Sequence, residues 1–138
     1  MSNQNELVIE ATDENLSTVQ SFVEERLAAA GCSPRAQKQV RVAVEEIFIN
    51  IAHYAYAPDT GRAAVRVTLS GDPASATISF ADRGVPYNPL AKPDPKVDLP
   101  ARERPIGGLG IYMTKKLMDD VSYEYVDGQN ILTMKKNI

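Results

Sequence analysis

Six of the nine prolines in this 138-residue chain fall between Arg83 and Ile106. Proline fixes φ, removes an amide donor and biases the residue before it away from helix, so neither a helix nor a central strand can run through that stretch. Regular structure must be built in two separate blocks, joined by a connection far longer than the usual handful of residues. A loop of that length in so small a chain is rarely filler. Its ends are distinctive. DRGVPYNP, from Asp82, closes an apolar strand, and IGGLG, ending at Gly110, opens an amphipathic helix. Glycines at a helix N-terminus leave backbone N–H groups free for an anion, phosphate above all. The segment reads as a nucleotide site with its lid, the lid covering about 83–107.

In the first block, Glu6 to Ala11 has the composition of a short strand. Asp13 is placed to cap a helix running to Ala30, with Leu16, Val19, Phe22, Val23 and Leu27 as its apolar stripe. Gly31 serves as the C-cap. Ser33-Pro34 starts a second helix, serine as cap and proline in the first turn, which runs to about Tyr56. Val65, Val67 and Leu69 alternate with polar residues in a strand over Arg62 to Leu69, and Ala76, Ile78 and Phe80 do so in the next. In the second block a helix over Gly108 to Asp119 points Leu109, Tyr112, Met113 and Leu117 inward. Two strands then flank the Asp127-Gly128 hairpin signal. The order β-α-α-β-β-loop-α-β-β predicts an α+β fold, a two-layer sandwich with helices on one face of a mixed sheet.

Length predicts one domain over 1–138. A net charge of −3 gives no support to non-specific nucleic-acid or membrane-surface binding. No apolar run approaches the roughly 20 residues of a membrane span. The N-terminus lacks a basic region followed by an apolar one, so a cytoplasmic location is expected. One cysteine, Cys32, and one histidine, His53, exclude an internal disulfide and argue against a structural zinc site.

Within the second helix, Val40, Val44, Ile47 and Ile51 make one core stripe. Glu46 and Asn50, four apart, project side by side from a neighbouring stripe. A solvated polar face accounts for such a pair. So does a magnesium site, in which Asn50 supplies an amide oxygen and Glu46 orients or deprotonates a nucleophile. Glu45 points elsewhere. Strand parity puts Asp82 on the same face as Ala76, Ile78 and Phe80, the core side. A buried carboxylate needs donors. It either bonds its own turn, with Gly84 allowing the bend, or accepts a hydrogen bond from the amino group of a flat base such as adenine.

The order of these signals resembles the ATP-binding Bergerat fold of the GHKL superfamily of gyrase, heat-shock chaperone, histidine kinase and MutL ATPases. It is most similar to the stand-alone anti-sigma-factor serine kinases of the RsbW and SpoIIAB type. EEIFINIAHYAY looks like their N box, DRGVPYNP like their first glycine box, and GGLGIYMTKKLMDDVSYE like their second. The resemblance covers about Glu6 to Lys136. It implies a MgATP-dependent protein serine kinase, with Asn50 on the magnesium and Glu46 as general base. It implies that Asp82 binds the adenine amino group, that Gly84 lets the base approach, and that Gly107, Gly108, Leu109 and Gly110 wrap the phosphates. The implied partners are an antagonist protein carrying a target serine, a sigma factor, and a second copy of the chain in a homodimer. There are three departures. Pro86 stands where the wider superfamily often has glycine, and Tyr54 stands where relatives often have histidine. QNILT replaces a glycine-threonine turn that would contact the adenine end. Two alternatives stay open at this point: a nucleotide-gated protein that sequesters its partner without kinase activity, and a detached histidine-kinase-like module.

Overall fold

The computed structural model describes residues 5–71, 74–91 and 109–138. The elements in chain order are β1 (Glu6–Glu10), α1 (Leu16–Ala29), α2 (Pro34–Asn50), β2 (Arg62–Ser70), β3 (Ser75–Asp82), α3 (Leu109–Leu117), β4 (Asp120–Val126) and β5 (Gln129–Asn137). The sheet order is β1-β2-β3-β5-β4. Every neighbouring pair is antiparallel, which corrects the expected mixed sheet. The reason lies in the connection after β3. The chain returns through α3 to lay β4 in the same direction as β3, but one place further out. The tight hairpin then folds β5 back into the gap, antiparallel to both. Asp127 at φ 53° and Gly128 at φ 76° make that hairpin turn, as the Asp-Gly signal requires.

Val65, Val67, Ile78, Phe80, Leu132 and Met134 are buried, while their strand neighbours Arg66, Thr68 and Lys135 are exposed, so the helices cover one face of the sheet. From α1 come Val19, Val23 and Leu27, and from α2 and the turn that follows it come Val40, Val44, Ile47 and Ile51 on the predicted stripe, joined by Ala43 and Phe48. Leu69 has the right parity but is exposed.

Helix ends follow local chemistry. Ser33 Oγ accepts the Ala36 amide at 3.2 Å, with Pro34 in the first turn. Gly31, at φ 80°, ends α1: its N–H reaches Ala28 O at 3.0 Å and the Cys32 N–H reaches Leu27 O at 3.0 Å, the paired bonds of a Schellman cap. Asp13 does not cap α1. It opens a 3₁₀ turn (Asp13–Asn15), and its carboxylate instead lies 2.8 Å from His53 Nε2. The second helix does not stay α-helical to Tyr56: after Asn50 the chain continues as a π-helical turn, Ile51–Ala55. In α3 and just after it the buried residues are Ile111, Thr114 and Met118, with Tyr112 and Leu117 half-buried and Met113 exposed. That face is rotated from the predicted one because Thr114 is tolerated inside, its hydroxyl donating to Gly110 O at 2.9 Å.

Phe48 is fully buried in the core. Phe48→Ala is expected to cost about 3–5 kcal/mol, read as a lower urea midpoint at unchanged slope.

Candidate functional site

The predicted pair on α2 sits at the junction with α3. Asn50 Nδ2 donates to Glu46 Oε1 at 3.2 Å, and both side chains are half-buried. No hydrogen bond from the described residues reaches Asn50 Oδ1. Glu45 is exposed on another face. The Glu46 carboxylate lies against Gly110 in the first turn of α3, so closely that a Cβ added there would fall on the carboxyl group. A side chain at 110 would have to displace the Glu46 carboxylate. The contact also brings the polar ridge of α2 to a helix N-terminus, where the exposed N–H groups favour negative charge.

Among the described residues, no cluster of three His, Cys, Asp or Glu side chains is placed to hold a metal. A protein-only cage is therefore absent from that part of the chain. One open amide oxygen beside a carboxylate does fit magnesium, which takes oxygen ligands and completes its shell with phosphate oxygens and water.

Asp82 closes β3, which its parity on the core side required, and it is 7% exposed. Its Oδ1 accepts the Gly84 N–H at 2.9 Å and Asn130 Nδ2 at 3.0 Å. The first bond is the turn-forming one anticipated from sequence. No bond from the described residues falls on Oδ2. Gly84 approaches the π-helical turn so closely that an added Cβ would strike the Ala55 carbonyl, and Val85 N–H donates to Ala55 O at 3.0 Å. The described close approach at Gly84 is thus to backbone.

Two residues that sequence reasoning did not assign complete this end of the sheet. Asn130, opposite Asp82 in the β3–β5 register, is buried. Its Nδ2 also donates to Val85 O at 2.9 Å, and its Oδ1 accepts from Tyr87 N at 3.1 Å and from the Tyr123 hydroxyl. The signal was available: Asn130 shares parity with Leu132 and Met134, so it had to face inward. Tyr56 is the other. Its hydroxyl donates to Arg62 O at 2.6 Å and accepts from Arg83 N at 2.7 Å, tying the start of β2 to the exit of β3. Burial pushes the Tyr56 phenol above its ordinary value of 10.0, against the pull of the Arg83 N–H. Because the folded pKa is the higher one, the stability this imparts is intact below pH 10 and is lost as pH rises past it.

Gly107 and Gly108 lie outside the described residues, as do the lid residues beyond Ala91, and the Leu109 side chain is likewise not described. His53, within the N-box stretch, pairs with Asp13 at the exposed surface, and Tyr54 is exposed. Pro86 is exposed in the loop after Gly84.

Gly84→Ala is expected to destabilise the fold by about 1–3 kcal/mol, the range for forcing atoms into a packed site. Thermal melting checks this. Gly110→Ala meets only the flexible end of Glu46, so its melting midpoint should fall less than that of Gly84→Ala.

Residues 9–136 match the family model described as histidine kinase-like ATPase domain. The serine-protein kinase RsbW of Bacillus cereus (strain AH187) is 31% identical over 120 residues, covering 80% of this chain and 74% of that protein. RsbW of Bacillus mycoides (strain KBAB4) is 30% identical over the same shares. A solved structure of the RsbU and RsbW domains of a Mycobacterium tuberculosis protein matches 96% of this chain and 32% of its own, with a TM-score of 0.66 and 21% identity, a likeness of fold.

Proposed function

We propose a protein serine kinase activity for this chain, which belongs to the histidine kinase-like ATPase domain family. The chain is an ATP-dependent enzyme of the RsbW kind, the kind to which its curated relatives belong. The observation that carries the reading is the contact of the Glu46–Asn50 pair with Gly110 at the start of α3. It supports a place where a carboxylate, an open amide oxygen and a helix N-terminus meet around a phosphate group.

In this reading Glu46 is the general base. It takes the proton of a protein serine hydroxyl as that oxygen attacks the γ-phosphorus of ATP. The bond from the γ-phosphorus to the bridging oxygen breaks, and ADP leaves. Magnesium, held at Asn50 Oδ1 with the phosphates, would neutralise charge on the phosphate oxygens. Asp82 accepts from the adenine amino group through Oδ2, the oxygen its own turn leaves open. Gly110, with Gly107, Gly108 and Leu109, lines the phosphates. The phosphoryl acceptor is an antagonist protein bearing a target serine, and a sigma factor is the second partner in such a switching circuit. A cytoplasmic location and a homodimer belong to the same reading. Among the described residues no helix is long and apolar enough to cross a membrane.

Incubation with γ-labelled ATP, magnesium and candidate antagonist domains tests this. Glu46→Gln is expected to slow transfer by about 100-fold or more, the usual contribution of a general base, with ATP affinity little changed. Transfer at the wild-type rate would remove Glu46 from that role. Gly110→Ala should also slow transfer, because the new methyl group displaces the Glu46 carboxylate. Asp82→Asn should weaken ATP binding in calorimetry by about tenfold or more, the cost of a lost bond to a charged acceptor. Absence of ATP binding at low-millimolar concentration would overturn the nucleotide reading as a whole.

A further inference from the structure

We propose that Asn130 is a positioning residue for purine selection: it holds the Asp82 carboxylate so that Oδ2 faces the 6-amino group of adenine. The inference rests on the reading of Asp82 as the base-recognising acid, and goes beyond it by naming the group that gives that acid its orientation.

A carboxylate at the end of a strand has a freely rotating terminal bond unless its surroundings choose an angle for it. Here two donors converge on the same oxygen. Gly84 N–H and Asn130 Nδ2 both reach Asp82 Oδ1, at 2.9 and 3.0 Å. Gly84 is only two residues along the chain and moves with the turn, whereas Asn130 comes from β5, 48 residues away in sequence. It is therefore the donor that ties the carboxylate to the sheet.

Asn130 is itself fixed on all sides. One amide hydrogen goes to Asp82 and the other to Val85 O at 2.9 Å. Its carbonyl accepts the Tyr87 N–H at 3.1 Å and the Tyr123 hydroxyl. These bonds determine which end of the amide is the donor: a flipped amide would set its oxygen against the Asp82 carboxylate and the Val85 carbonyl and its NH2 against the Tyr87 N–H, and only the Tyr123 hydroxyl could change role. The amide thus also pins the backbone at Val85 and Tyr87, where the loop leaves β3. Asp82 and that loop cannot shift independently while Asn130 is in place.

The chemical consequence is selectivity rather than bulk affinity. Adenine offers a hydrogen-bond donor at position 6, and hypoxanthine offers an acceptor there. An aligned carboxylate oxygen attracts the first and repels the second. A carboxylate free to rotate discriminates less.

Calorimetry with magnesium and either ATP or ITP reads this directly. The wild type should bind ATP more tightly than ITP. Asn130→Ala should reduce the ATP-to-ITP affinity ratio by on the order of tenfold, the worth of one well-made charge-assisted bond, while ITP affinity changes by less than about threefold. A purely structural role would weaken both nucleotides together and leave the ratio intact, and that result overturns the proposal. Asn130→Leu keeps nearly the same shape but donates no hydrogen bond and adds no second carboxyl beside Asp82. It should lose the ratio as Asn130→Ala does, and it decides the matter if the alanine variant fails to fold: a preserved ratio again overturns the proposal. A wild type that binds ATP no better than ITP, or an Asp82→Asn variant with an unchanged ratio, would instead sink the reading of Asp82 on which the inference rests.

Discussion

A carboxylate buried at the end of a central strand cannot stand alone, and the architecture around Asp82 follows from that constraint. Removing such a group from water costs several kcal/mol unless donors replace the lost hydration. The turn at Gly84 supplies one donor and Asn130 supplies the other. Supplying the second requires that β5 lie beside β3 in a register that sets residue 130 opposite residue 82. The hairpin at Asp127-Gly128 folds β5 back along β4 toward that place. The last strand is thus inserted next to β3 rather than at the sheet edge, and the buried acid is satisfied by the placement.

The second organising contact is the approach of α3 to α2. Glycine at 110 lets the first turn of α3 rest on the Glu46 carboxylate, so a polar ridge that would otherwise face water becomes the floor of a junction. The π-helical turn after Asn50 belongs to the same construction. Wider turns of this kind are frequent at functional sites. Here the turn ends in an Ala55 carbonyl that accepts the Val85 N–H and abuts Gly84, and in Tyr56, whose hydroxyl bridges Arg62 and Arg83. The helix that carries Glu46 and Asn50 is in this way stitched to the loop that carries Asp82. The two halves of the candidate site are joined by the Val85–Ala55 backbone bond and by the Tyr56 hydroxyl.

Much of this was legible in advance where a local rule is strict. Period-two parity put Asp82 inside, and it is buried. The serine-proline start of α2, the glycine end of α1 and the Asp-Gly hairpin all appear as their chemistry demands. Local rules failed where a residue had two adequate partners. Asp13 had the composition of a helix cap, but His53, forty residues away, competes for its carboxylate. The apolar stripe of α3 was drawn through Met113, yet Thr114 faces the core because its hydroxyl can bond back to its own helix. Asn130 went unassigned although parity pointed it inward.

The sequence by itself determined the elements, their order, the inward acid and the kinship of the chain, because each depends on spacing within a few residues or on motifs read in series. Only the tertiary structure decided which strand neighbours which, and hence that the sheet is antiparallel throughout. It alone showed that Asn130 meets Asp82 and that Gly110 meets Glu46. Those pairings join residues 48 and 64 positions apart. Separations of that size are closed by the packing of whole elements around a common core, which no local spacing encodes.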